Sequence, residues 1–82
     1  MKFKTSAAKE FRKLPLKLQQ RLQIAINNLK NNPRSGDTIK LRGSDYLYRL
    51  RVGDYRIIYQ IDDQNKIVVI FRVGHRRDVY DN

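Results

Sequence analysis

Arg49, Arg51 and Arg56 flank the dipeptide Gly53-Asp54. If that dipeptide is a two-residue hairpin turn, Val52 sits opposite Tyr55 and Arg51 opposite Arg56, with Arg49 on the same face. Like charges directly opposite on a sheet destabilise it by roughly 0.2–1 kcal/mol. A chain shaped only for stability would avoid the pairing. An anion between the arginines would offset it, because the planar guanidinium fork matches phosphate oxygens. The competing reading is a solvated face whose long stems splay apart. A second cluster, Gly74-His75-Arg76-Arg77-Asp78-Val79-Tyr80, gathers the titratable types useful for RNA cleavage. His75 is the only histidine, of a type whose unperturbed pKa is about 6.5. Against those roles, a lone histidine beside two arginines is more often a surface or loop residue than a catalyst, Tyr80 reads equally as a packed anchor, and Asp78 as the ionic partner of an arginine. No Gly-rich phosphate loop, paired-carboxylate site or metal-ligand set is present. The expectation is therefore no cofactor and no metal.

The overall charge agrees with an anionic target. Lys and Arg number 18 against 8 Asp and Glu, a formal net charge of +10. Small domains usually carry a magnitude of about 2–8. Such a surface attracts polyanions and speeds association with them. The basic residues are not confined to one amphipathic helix, which argues against a membrane-surface role. No apolar run approaches the roughly 20 residues of a membrane span. Met1-Lys2-Phe3-Lys4 leads into no signal-peptide core. The absence of cysteine excludes disulfides and suits a reducing cytoplasm. The 82 residues point to one domain over 1–82.

The elements that must position these clusters follow from periodicity. Met1 to Thr5 fits a short strand anchored by Phe3. Ser6 fits a helix cap, with Glu10 near the positive end and Ala7, Phe11 and Leu14 on one face. Pro15 suits the first turn of a second helix. There Leu18, Leu22, Ala25, Ile26 and Leu29 form one apolar stripe. Ile24 lies off it, available to the first helix or to a partner. Asn31-Asn32-Pro33 ends the helix, and the two helices should form an antiparallel hairpin. Tyr46 to Val52, Tyr55 to Ile61 and Lys66 to Val73 read as strands of an antiparallel meander. Tyr48, Leu50, Val52, Tyr55, Ile57, Tyr59 and Ile61 share the face that should meet the helices. Arg49, Arg51, Arg56, Ile58 and Gln60 take the other. Gly74 to Asn82 reads as a tail returning to the sheet edge. The fold class is α+β, an N-terminal helical hairpin packed on a small curved antiparallel sheet.

Taken in order, these segments resemble a known family. Tyr48-Arg49-Leu50-Arg51-Val52-Gly53-Asp54-Tyr55-Arg56-Ile57-Ile58-Tyr59 is similar to the central hairpin of the RelE/ParE toxin superfamily. Val73-Gly74-His75-Arg76-Arg77-Asp78-Val79-Tyr80 looks like the G-H-R-x-x-V-Y close of its RelE branch, and Lys40-Leu41-Arg42-Gly43 matches the K-L-(K/R)-G segment before the sheet. Each motif is short, but their order and spacing together are specific, and the resemblance spans nearly the whole chain.

The resemblance implies the RelE-like microbial ribonuclease-type fold and a toxin of a type II toxin–antitoxin system. It implies a ribosome-dependent endoribonuclease that cleaves mRNA in the A site, without metal, by attack of the ribose 2′-hydroxyl on the adjacent phosphate. The family's catalytic positions fall on Arg49, Arg51, Arg56, Arg76 and Tyr80, with Arg77 replacing Arg76 under a different gap placement. Lys40, Arg42, Arg49 and Arg51 fall at RNA-binding positions. Relatives often carry lysine where this chain has Arg49 and Arg51. Arginine is not deprotonated in proteins, so these two act electrostatically. The base is then Tyr80 or His75, and the acid Arg76 or protonated His75. Implied partners are a RelB-like antitoxin, forming a hetero-oligomer, and the ribosome with its mRNA; no membrane is involved and the location is cytoplasmic. The alternative within the superfamily is a ParE-like, non-enzymatic poison of DNA gyrase. A plain RNA-binding module is a third class.

Overall fold

The computed structural model describes residues 2–31, 38–41, 43, 46–65 and 67–77. The elements are β1 (Lys2–Phe3), α1 (Thr5–Arg12), α2 (Leu16–Asn31), β2 (Thr38–Lys40), β3 (Leu47–Val52), β4 (Tyr55–Asp62) and β5 (Ile67–His75). They form a five-stranded sheet in the order β1-β5-β4-β3-β2. The three long strands form the expected antiparallel meander. The sheet as a whole is mixed, because β1 joins β5 in parallel. The short β2, unforeseen in the sequence, adds an antiparallel edge to β3.

The apolar stripe of α2 meets the predicted sheet face. Leu22, Ile26 and Leu29 are buried with Leu50, Ile57, Tyr59, Ile61, Val68, Ile70 and Val73, and Ala7 joins them from α1. Phe3 and Phe11 clamp β1 to α1 edge to face, with ring centroids 5.6 Å apart. Between the helices, Gln19 Nε2 donates to the Leu14 carbonyl at 2.8 Å and the Arg12 carbonyl at 3.3 Å, satisfying acceptors that the end of α1 leaves open. Ile24 is 66% exposed and so is not covered by α1.

The start of α1 departs from expectation. Lys4, not Ser6, is the N-cap, with extended backbone and no side-chain cap. The Lys4 N–H donates to the Ile70 carbonyl, extending the β1–β5 pairing up to the residue where the helix begins. Ser6 thus falls inside the first turn, and the strand stops short of Thr5. Glu10 lies toward the far end of α1, away from the positive end, where the sheet recruits it. Its carboxylate accepts from Arg72 at 3.0 Å and from the Val73 backbone N–H at 3.0 Å. It thereby closes the β5 edge beyond the two residues of β1.

Within β5 the core-facing residues are Val68 and Ile70, then Val73. Ile58 pairs with Arg72 and Tyr59 with Ile70, so Phe71 is the extra residue of a β-bulge. A bulge leaves one residue unpaired and shifts the alternation beyond it. Gly74 and His75, expected in a tail, complete β5; residues 78–82 of that tail lie outside the described residues.

Candidate active site

The hairpin register agrees with the sequence reading: Val52 opposes Tyr55, Arg51 opposes Arg56 and Arg49 opposes Ile58. Gly53 has φ 59°, in the left-handed region that a tight hairpin turn demands and glycine accepts cheaply. The pair closing a two-residue turn exchanges both its hydrogen bonds. The next pair, Arg51 and Arg56, is then of the non-hydrogen-bonded kind, with Cα atoms about 4.5 Å apart and side chains at their closest. On the far side of β4, Arg56 faces Gly74, which puts no side chain beside it. One rung therefore reads Arg51, Arg56, Gly74, and the neighbouring rung reads Ile39, Arg49, Ile58, Arg72.

This face is not simply a solvated fringe. Arg51 is exposed, whereas Arg49 and Arg56 are half-buried and their Nε atoms are withdrawn from solvent. Ile58 is only 4% exposed although it points away from the helices. Its cross-strand neighbours are Arg49 and Arg72, whose long aliphatic stems can shield it. Arg72 is tied to Glu10, so its charge is locally offset.

The remaining predicted residues divide. Lys40 opposes Tyr48, which packs against the core, so the register places Lys40 on the helix-facing side of β2 and puts Ile39 beside Arg49. His75 opposes Tyr55, again on the side away from Arg51 and Arg56. Its ring meets Tyr55 edge to face, with centroids 5.4 Å apart. Arg76 and Arg77 form the exposed turn after β5. The Arg76 N–H donates to the Asp54 carbonyl at 2.7 Å, which brings that turn against the β3–β4 turn. Arg42, Asp78 and Tyr80 lie outside the described residues.

One basic residue near the site was not singled out from the sequence. Arg21 of α2 reaches the β3–β4 turn, where its guanidinium would stand 3.2 Å from a Cβ added at Gly53. Arg21, Asn28 and Arg51 line a groove of about 340 Å³ between α2 and β3. Its place one turn before the half-buried Ala25 marks a flank of the stripe, but which loop approaches that flank is a tertiary fact.

A family model described as the ParE toxin of the type II toxin–antitoxin system, parDE, matches residues 1–80. The toxin RelG of Mycobacterium tuberculosis is 37% identical, over 98% of this chain and 93% of its own. The mRNA interferase toxin RelE of Escherichia coli K12 is 34% identical, over 90% of this chain and 79% of its own. The crystal structure of the isolated E. coli RelE toxin superposes with a TM-score of 0.81 at 30% identity, covering 90% of this chain and 80% of that one. The toxin in the intact E. coli RelBE toxin–antitoxin complex gives 0.80 at 30% identity, covering 90% and 92%. With a family match over nearly its whole length and RelE toxins alike in both sequence and fold, the chain belongs to the RelE/ParE superfamily of type II toxin–antitoxin toxins.

Proposed function

We propose that this toxin is a ribosome-dependent endoribonuclease that cleaves mRNA in the A site. The observation that supports this most is the Arg51–Arg56 pair, set directly opposite on the sheet face away from the helices. The ribose 2′-oxygen attacks the adjacent phosphorus and the P–O5′ bond breaks. The products are a 2′,3′-cyclic phosphate and a free 5′-hydroxyl. The proton of the 2′-hydroxyl passes to a base, and the leaving 5′-oxygen takes one from an acid. Arg49, Arg51 and Arg56 hold the phosphate and stabilise the charge that builds on its oxygens. Arg76 completes that set at the leaving oxygen, with Arg77 as its alternative. Tyr80, at the position that the family resemblance assigns to proton transfer, is the base. Arg42 docks the RNA strand outside the reacting phosphate, whereas Lys40, on the helix-facing side of β2, does not share that face. The relatives crystallised with RelB support a RelB-like antitoxin as partner, with acidic segments that cover the arginine face, and the working location is the cytoplasm with its ribosomes.

The test is single-turnover cleavage of mRNA on programmed ribosomes, with binding measured in parallel. Arg56→Ala should lower the saturated rate by about 10²-fold or more, as removal of one oxyanion donor does. Tyr80→Phe should lower it by roughly 10²–10⁴-fold with binding kept. The ParE description of the matching family favours the gyrase reading as second choice. Intact mRNA on the ribosome together with inhibited gyrase supercoiling would establish that reading instead.

A further inference from the structure

We propose that His75 is a positioning residue for the cleavage, acting through the turn that carries Arg76 and Arg77 rather than through its own proton. The inference rests on the nuclease reading above. It begins with the face His75 occupies. His75 opposes Tyr55, and Arg56 is the next residue along β4, so the imidazole and the Arg56 guanidinium leave the sheet on opposite sides. The residue of β5 that does stand beside Arg56 is Gly74, which has no side chain to offer. A proton-transfer group belongs within about 2.6–3.2 Å of the proton it moves. The ring of His75 sits on the wrong side of the sheet for a phosphate held between Arg51 and Arg56.

What the ring does touch is specific. One side meets Tyr55 edge to face at 5.4 Å, and Tyr55 in turn packs against the buried core. Its Nδ1 accepts the backbone N–H of Arg77 at 3.3 Å. The Arg76 N–H is meanwhile bound to the Asp54 carbonyl at 2.7 Å. Two successive amides of the turn are therefore anchored, one to the β3–β4 turn and the other to a ring braced on the core. A side chain accepting from the backbone N–H two residues on is the contact that Asn and Asp make in Asx-turns. His75 serves as an Asx-like residue with an added aromatic brace.

That equivalence supplies the test. His75→Asn places an amide oxygen near the Nδ1 position and keeps the acceptor, but cannot relay a proton. His75→Phe keeps the ring against Tyr55 and loses the acceptor. Each variant of the full chain is measured for saturated single-turnover cleavage on ribosomes, for ribosome binding, and for exchange protection of the Arg77 amide by NMR. The expectation is that His75→Phe loses the protection and cleaves about 10–10²-fold more slowly, the scale of a small misplacement of a reacting group. Its binding should stay within about twofold, since the phosphate-neutralising charge is unchanged. His75→Asn should restore both protection and rate to within about threefold of wild type. Slow cleavage by His75→Asn with the amide still protected would overturn the proposal in favour of proton transfer. Wild-type cleavage by His75→Phe would overturn it by showing the contact to be idle. Should His75→Phe fail to fold, His75→Gln replaces it, because its amide reaches the Nε2 position and likewise loses the contact. If the wild-type chain itself leaves mRNA intact, the nuclease reading fails. The amide protection then still decides whether His75 holds the turn.

Discussion

On the side of the sheet toward the helices, Leu50, Ile57, Tyr59 and Ile61 meet Leu22, Ile26 and Leu29, and the contact is closed and apolar. On the reverse side the same two strands present Arg49, Arg51 and Arg56 around the buried Ile58. The first face obeys the rules that make a small domain stable: helical spacing on α2, alternation on the strands, and no buried charged residue among the described residues. The second sets like charges opposite each other where a neutral pair would hold the strands better. One face holds the fold together, and the other uses that stability to hold three guanidinium groups close to one another. At the edge of that face Arg72 is tied to Glu10 of α1, which joins the two sides of the sheet through an ion pair.

The largest effect expected from breaking this contrast is on the core face. Ile26 is fully buried between α2 and the sheet. Ile26→Ala should cost about 2–5 kcal/mol through lost transfer energy and a residual cavity. In a domain this small that is a large share of the total. Chemical denaturation followed by circular dichroism measures it. A loss below about 1 kcal/mol would mean that the helix–sheet contact is less central than its burial implies.

The reverse face should respond with the opposite sign. Arg51→Ala removes one member of the opposed pair from an exposed position. Stability should stay level or rise by roughly 0.2–1 kcal/mol, while cleavage on the ribosome falls by about 10²-fold. The affinity of the variant should also depend less steeply on salt than that of wild type, since one fewer phosphate is neutralised. A variant that unfolds more readily yet cleaves at the wild-type rate would reverse the assignment of roles to the two faces.

How much of this was legible in the sequence depends on the range of the interaction involved. The Arg51–Arg56 pairing was legible because a two-residue turn at Gly53-Asp54 sets the register locally. The core face was legible because α2 and both strands of the hairpin keep their periods. The β2 strand was not, since a run as short as Thr38–Lys40 has no period to read and takes its register from β3. That register sends Lys40 to the helix side and brings Ile39 to Arg49. The parallel partner of β1 was equally hidden, because pairing across most of the chain's length leaves no local mark. The face of His75 depends on the bulge at Phe71. With unbroken alternation from Val68 and Ile70, His75 would share the side of Arg56. The step from Ile70 to Val73 is the one trace of the shift, and it is visible only once both ends are known to be core. Arg42 and Tyr80, whose roles come from the family resemblance, lie outside the described residues.

The smallest effect belongs to neither face and serves as their control. At the β4–β5 turn the Asp62 carboxylate accepts from the Asn65 side-chain amide at 2.9 Å and from the Asn65 backbone N–H at 3.1 Å. These hydrogen bonds, the side-chain one foremost, hold its pKa below the ordinary value of 3.8, with burial opposing weakly. A group with a lowered folded pKa binds protons less readily in the folded chain than in the unfolded one. Its contribution to stability is therefore present above 3.8 and disappears as the pH falls through the lower, folded value. The residues that follow Asp62 in the turn are exposed and Asp62 itself is only half-buried, so the contribution is small and weakens with salt. Asp62→Ala should lower the melting temperature slightly at neutral pH. The gap from wild type should persist on acidification to about pH 5, where an ordinary carboxyl is still ionised, and should close only at lower pH. Cleavage and ribosome binding should not change, because Asp62 ends β4 at the opposite end of the strand from Arg56. A gap independent of pH would show that Asp62 shapes the turn by its bulk alone. A loss of cleavage would extend the functional surface along the full length of β4, well beyond the arginine rungs.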